Sequence, residues 1–75
     1  MDIIELLNVK TKKDLLELLK KHSIKYKKRF GEISFKANIN TYDFTIYTYI
    51  QGKSVNTFRI VMDNKKYDYD VMVQN

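Results

Sequence analysis

The spacing of apolar residues divides the chain into a helical first third and a β-rich remainder. In "LLELLKKH", residues 15–22, four leucines recur at helical spacing on one side of a helical wheel, with His22 at its edge, while charged residues fill the other side. This amphipathic pattern predicts a helix from about residue 12 to residue 22.

Two further signals mark where helices should begin. Asp2 is followed three residues later by Glu5, and Thr11 is followed in the same way by Asp14. This spacing is typical of a capping box, in which the two side chains satisfy free backbone N–H groups at a helix start. We predict a short helical piece over "IIELLN", a break at "NVKT" and then the main helix, although one bent helix also fits.

From residue 32 onwards the apolar period changes from 3.6 to 2. The stretches "EISFKANI", "YDFTIYTYI", "NTFRIVM" and "YDYDVMV" each alternate apolar and polar positions. Strands with one apolar face are typical of an antiparallel sheet that is covered on one side. The prediction is an α+β fold and a single domain over residues 1–75. An N-terminal helical segment of one or two helices packs on one face of a four-stranded antiparallel β-meander at 32–73.

The connections between strands can be predicted because opposed residues share a face of the sheet. A two-residue turn at residues 40–41 places the apolar residues of the first two strands on the same face of the sheet. A three-residue loop at residues 52–54 does the same for the second and third strands. A two-residue turn at residues 64–65 opposes Phe58 to Val71, and the same register opposes Arg59 to Asp70 as an ordinary ion pair.

Residues 24–30 join the helical and β-rich parts and also alternate. They form either an additional edge strand or an extended connector, with Tyr26 and Phe30 packed against the core. Alternate residues of a strand lie ~6.6–7 Å apart on one side. The side chains on that side are Lys25, Lys27 and Arg29.

The charge of the chain is concentrated in this same region. The net charge is +5, and residues 10–36 hold ten Lys or Arg residues against three acids. Glu17 can pair with Lys20 and Lys21, which leaves Lys25, Lys27, Lys28 and Arg29 without a local acid. A concentrated positive field of this kind attracts anionic partners. The candidate nucleic-acid contacts are Lys20, Lys21, Lys25, Lys27, Lys28 and Arg29. A solvated edge strand protected by lysines, or a contact with an acidic protein surface, fits the same residues.

The outer face of the sheet provides a second candidate surface. Aromatic residues, arginine and methionine are enriched in the cores of protein interfaces. The candidates for a protein interface on this face are Tyr47, Tyr49, Arg59, Val61 and Met72. Acids and bases nearly balance on the strands at 32–73, which favours a protein partner over phosphates on this face.

The sequence gives little support for catalysis, metal binding or a membrane location. There is no cysteine and one histidine, and "GKS" at residues 52–54 lacks the first glycine and the helix of a phosphate-binding loop. No apolar run approaches the ~20 residues of a membrane span, and the acidic N-terminus is unlike a signal peptide. We expect a soluble cytoplasmic protein that is not an enzyme, with no cofactor, no metal and no catalytic residue.

Taken together, these patterns predict a small macromolecule-binding protein. The first hypothesis is that the basic segment contacts nucleic-acid phosphates, either free or within a nucleoprotein complex. The alternative is a small phage- or mobile-element-type inhibitor or adaptor that binds a host protein through its sheet face or edge strand. The partner's identity, the choice of DNA or RNA and the oligomeric state stay open.

Overall fold

Two helices precede an antiparallel sheet, which confirms the α+β arrangement. The computed structural model describes residues 1–63 and the strand at residues 70–74. The helices are α1 (Ile3–Leu7) and α2 (Lys12–Lys21), and the strands are β1 (Tyr26–Arg29), β2 (Glu32–Ile39), β3 (Tyr42–Gln51), β4 (Ser54–Met62) and β5 (Asp70–Gln74). The strands lie in the order β1-β2-β3-β4-β5, and each neighbouring pair is antiparallel.

Each helix begins at the capping box that the sequence predicts. The Asp2 N–H donates to the Glu5 carboxylate at 3.0 Å, and the Thr11 N–H donates to the Asp14 carboxylate at 3.2 Å. The Asp14 N–H in turn donates to Thr11 Oγ1 at 3.1 Å. Because each box satisfies the free N–H groups of its own helix start, the helical segment forms two helices rather than a bent one.

The end of α2 turns the chain towards the sheet. Ser23 has a left-handed backbone with φ of 55°, and its N–H donates to the Lys20 carbonyl at 3.1 Å. The Ile24 N–H donates to the Leu19 carbonyl at 2.9 Å. This pair of bonds is a Schellman motif, which satisfies the last helical carbonyls, and it ends α2 one residue before the predicted position.

The helices cover one face of the sheet, which we call the inner face. The fully buried side chains of the core come from both layers: Leu6, Leu15 and Leu19 from the helices, and Ile33, Ile46, Thr48 and Phe58 from the strands. Backbone bonds tie the linker between the helices to the turn between β3 and β4. Val55 N–H donates to the Lys10 carbonyl, and Lys12 N–H donates to the Lys53 carbonyl, both at 2.9 Å.

Of the first two predicted connections between strands, one is confirmed and the other is wrong. The two-residue turn at residues 40–41 is confirmed, with Ile39 opposite Tyr42. The three-residue loop at residues 52–54 is wrong, because Gln51 pairs with Ser54 across a two-residue turn. The predicted register, with Ile46 opposite Ile60, is nevertheless present. Tyr49 lies opposite Thr57 and Ile50 lies opposite Val55, so residue 56 of β4 has no partner on β3 and forms a β-bulge. Because of this extra residue, the shorter turn still leads to the predicted register.

The predicted register of the last strand is wrong by two residues. Phe58 lies opposite Val73 rather than Val71, and Arg59 lies opposite Met72 rather than Asp70. A shift of two leaves every residue on the same face, so apolar alternation cannot distinguish the two registers. The predicted turn at residues 64–65 lies outside the described residues.

Residues 26–29 form an edge strand, β1, rather than a connector. The expectation that Tyr26 and Phe30 anchor this segment in the core is wrong. Phe30 is fully exposed and Tyr26 is 46% exposed. The strand ends at Arg29, and the chain reverses through Phe30 and Gly31, so the alternation does not continue to Phe30. Gly31 has a φ of 71°, a left-handed conformation that glycine adopts without steric cost.

Candidate nucleic-acid interface

Two of the three cations of β1, Lys27 and Arg29, lie on the same face of the sheet as the outward tyrosines of β3. Lys27 is opposite Ser34 on β2, and Ser34 is opposite Tyr47 on β3. Arg29 is connected through β2 to Tyr49 in the same way. Since residues opposed across a sheet share a face, these side chains all belong to the outer face, away from the helices. The two candidate surfaces that the sequence suggests separately are therefore adjacent.

A groove of about 930 Å³ runs along this outer face from the end of α2 to Tyr47. We call it the basic groove, after the four cations that line it: Lys25, Lys27, Arg29 and Lys36. Glu32 is the acid among its described lining residues. The sequence predicts a nearly neutral outer face because it counts only the strands at residues 32–73. The structure adds the edge strand β1 to this face, and β1 makes the face more positive.

Half of the predicted phosphate contacts lie in this groove. They are Lys25, Lys27 and Arg29, and none of them makes a salt bridge with another described residue. Lys20 and Lys21 lie instead in the last turn of α2. Lys28 lies on the other side of β1, opposite the buried residue Ile33.

Lys21 forms an ion pair with an acidic residue of α1. Its Nζ lies 2.7 Å from Glu5 Oε1, and His22 Nε2 lies 3.1 Å from Glu5 Oε2. The hydrogen bond from Lys21 and a second from the Asp2 N–H lower the pKa of Glu5 to about 2. The partner that the sequence suggests for Lys21 is Glu17, which is near in the chain. The observed partner belongs to another helix, and the spacing within α2 gives no sign of it.

The protein-interface candidates on the same face are partly covered. The Arg59 guanidinium carbon lies 5.4 Å from the centre of the Tyr47 ring, a cation–π contact. Tyr49 and Val61 are half-buried. Met72 lies opposite Arg59 in the register, and its side chain is outside the described part of the structure.

The far end of the outer face is acidic. Asp43, opposite Asn38 near the turn between β2 and β3, accepts a bond of 3.0 Å from the Asn38 amide. Asp63 accepts a bond of 2.6 Å from the Thr45 hydroxyl. Since β1 pairs with the opposite end of β2, an anionic ligand is attracted to the β1 end and repelled from this one.

Three residues near this edge are not among the predicted phosphate contacts. Lys36 joins the basic groove, and the alternation of residues along β2 already indicates that it lies on the outer face. Phe30 stands exposed beside Arg29 at the tip of the β1–β2 turn. Lys12, the first residue of α2, lies next to Lys28, whose ammonium group lowers the pKa of Lys12.

Comparison of the chain with protein-family models, with curated proteins and with solved structures finds no match in any of the three. Within the described residues, no group of three or more His, Asp or Glu side chains is placed to hold a metal ion. Neither helix of the described part has the length and apolar character that crossing a membrane requires.

Proposed function

We propose that the protein binds nucleic acid through phosphate contacts in the basic groove, with little readout of base sequence and without catalysis. The observation that carries this proposal is the set of four groove cations, which face one acid and make no salt bridge with a described residue. The ligand is free nucleic acid or a nucleoprotein complex, so the protein acts inside the cell.

The spacing of the groove cations supports this proposal. Lys27 and Arg29 are alternate residues of β1, and Lys25 precedes them with the same spacing. Alternate strand positions lie ~6.6–7 Å apart, a distance comparable to that between successive phosphates of an extended strand. β1 is hydrogen-bonded to β2, so the backbone that carries the cations is already ordered. Ordering before binding lowers the entropic cost of docking.

Aromatic rings beside the cations, of which Tyr26 and Phe30 are exposed and Tyr47 is half-buried, favour a single-stranded ligand. Tyr26 and Tyr47 line the basic groove, and Phe30 stands at the adjacent turn. An unpaired base can stack on such rings whatever its identity, whereas the bases of a duplex are already stacked. We therefore expect tighter binding to single-stranded than to double-stranded nucleic acid of the same length.

The test is a fluorescence-anisotropy titration of a labelled oligonucleotide across a salt series. With about four phosphate contacts, the slope of log K against log salt should be roughly −3 for a single strand. The variant Lys25→Gln/Lys27→Gln should weaken binding and reduce the magnitude of the slope by about 1.4, because two contacts are lost.

The matched control is Lys13→Gln/Lys53→Gln, which removes the same charge outside the basic groove. It should keep the wild-type slope. The absence of a salt slope, or an equal effect of the two double variants, would show that the groove is not the site.

A second function is favoured by the cation–π pair of Tyr47 and Arg59 beside Val61 on the outer face. These residue types form the centres of protein interfaces, so a phage- or mobile-element-type inhibitor or adaptor could dock an acidic host protein on this face. The edge strand is a weaker docking site, because β1 is short and rich in lysine. An affinity pull-down with and without nuclease separates the two functions, since a partner retained after nuclease is a protein.

A further inference from the structure

Two lysines from distant parts of the chain line one small depression on the helix side of β1. Lys12 is the first residue of α2, and Lys28 is in β1. The depression has a volume of about 380 Å³. Its walls also include Arg29 and parts of two turns, at residues 30–31 and 51–52.

Backbone hydrogen bonds hold the lysines in this arrangement. The Lys12 N–H donates to the Lys53 carbonyl at 2.9 Å, which fixes the start of α2 to the turn between β3 and β4. The Ile50 N–H donates to the Gly31 carbonyl at 2.9 Å, which joins β3 to the β1–β2 turn. Lys28 lies opposite Ile33 within the paired strands. The two side chains therefore extend from anchored backbone and not from a loose loop.

This arrangement places two positive charges at the wall of one depression. Among the described residues, neither lysine makes a salt bridge. Glu32 also lines the depression, and its backbone lies opposite that of Arg29 in the outer-face register. The side-chain contact with Lys28 lowers the pKa of Lys12, and the repulsion between the two like charges, which also destabilises the folded chain, lowers it further. An anion bound between the two groups would remove this repulsion.

We propose that Lys12 and Lys28 form a binding site for a phosphate group. A phosphate that carries two negative charges neutralises both ammonium groups, and lysine binds phosphate well as a compact charge with rotatable donors. The depression is open and larger than one phosphate, so the group can belong to a larger molecule. The site lies on the helix side of β1, although Arg29 and Glu32 also line the basic groove, and it goes beyond the function proposed above.

The test uses inorganic pyrophosphate as the probe and the amide resonances of residues 12, 28 and 52 in ¹H–¹⁵N spectra as the readout. Wild-type protein should show saturable shifts at these positions. The variant Lys12→Gln/Lys28→Gln should bind about tenfold more weakly or worse, a loss of about 1.4 kcal/mol. Lys13→Gln/Lys53→Gln should bind as the wild type does. Shifts that never saturate, or an equal loss in both variants, would overturn the proposal.

Two additional comparisons separate the source of the phosphate and the two sites. If the phosphate is a nucleic-acid end, a 5′-phosphorylated oligonucleotide should bind more tightly than its 5′-hydroxyl counterpart, and only while the lysine pair is intact. Equal binding of the two oligonucleotides, with pyrophosphate still bound, identifies a small phosphorylated ligand instead. Lys25→Gln/Lys27→Gln should leave pyrophosphate binding unchanged, so failure of the basic groove and failure of this site are distinguishable.

Discussion

Glu5 shows how one carboxylate can serve three purposes. It closes the capping box of α1 by accepting a hydrogen bond from the Asp2 N–H, and at the end of α2 it forms an ion pair with Lys21 and a hydrogen bond with His22. The helix that supplies it is only five residues long, too short to be stable alone. The contacts of Glu5 therefore connect a short helix to a longer one, and its ionisation should affect the fold.

We expect this ionisation to appear in the acid stability of the protein. The folded-state pKa of Glu5 is about 2, below its ordinary value of 4.5. Its stabilising effect is complete above pH 4.5 and is lost as the pH falls through 2. Glu5→Gln keeps an oxygen for the Asp2 N–H but removes the charge, so its melting temperature should depend less on pH between these values.

The measurement is thermal unfolding followed by circular dichroism at several pH values. Some acid dependence should remain in the variant, because hydrogen bonds from the backbone of Lys10 and from Thr11 also lower the pKa of Asp14. Parallel curves for wild type and Glu5→Gln would contradict the role assigned to Glu5.

At the scale of the elements, the turn between β2 and β3 contains backbone strain. Asn40 and Thr41 both have positive φ, at 51° and 71°, as a type I′ hairpin turn requires. Asparagine tolerates this conformation, but a β-branched threonine does so at a steric cost. The turn that sets the β2–β3 register therefore contains one unfavourable residue.

Replacing Thr41 with glycine should stabilise the protein by about 1 kcal/mol, because the steric strain exceeds the entropic cost of glycine. Equilibrium unfolding in urea measures this change. The control is Thr57→Gly within β4, where the same substitution should lower stability by about 1 kcal/mol. A loss of stability in Thr41→Gly would indicate that the threonine makes a compensating contact.

Across the whole molecule, positive charge is crowded at one end of the sheet. The basic groove lies on one side of β1, and the pair of Lys12 and Lys28 lies on the other. Positive charge in the described part of the chain is thus concentrated around a four-residue edge strand, where it attracts anions and repels itself.

This crowding predicts that moderate salt stabilises the free protein. Screening shortens the reach of repulsion to about 8 Å at 0.15 M, so the melting temperature should rise between 10 mM and 150 mM sodium chloride. Lys12→Gln/Lys28→Gln should begin with a higher melting temperature and show a smaller rise. A wild-type melting temperature that falls with salt would mean that attractive ion pairs dominate instead.

The sequence by itself determined the local elements and, for α2, β2, β3 and β4, the side that is buried. Apolar periods of 3.6 and 2, and capping residues three positions apart, act over a few residues, so α1, α2 and the faces of β2, β3 and β4 could be predicted. Only the tertiary structure decided which distant residues meet: Lys21 with Glu5, Lys12 with Lys28, and β1 beside the outward tyrosines. The physical reason is that strand registers two residues apart satisfy the same alternation, and charges attract or repel across elements whatever their separation in the chain.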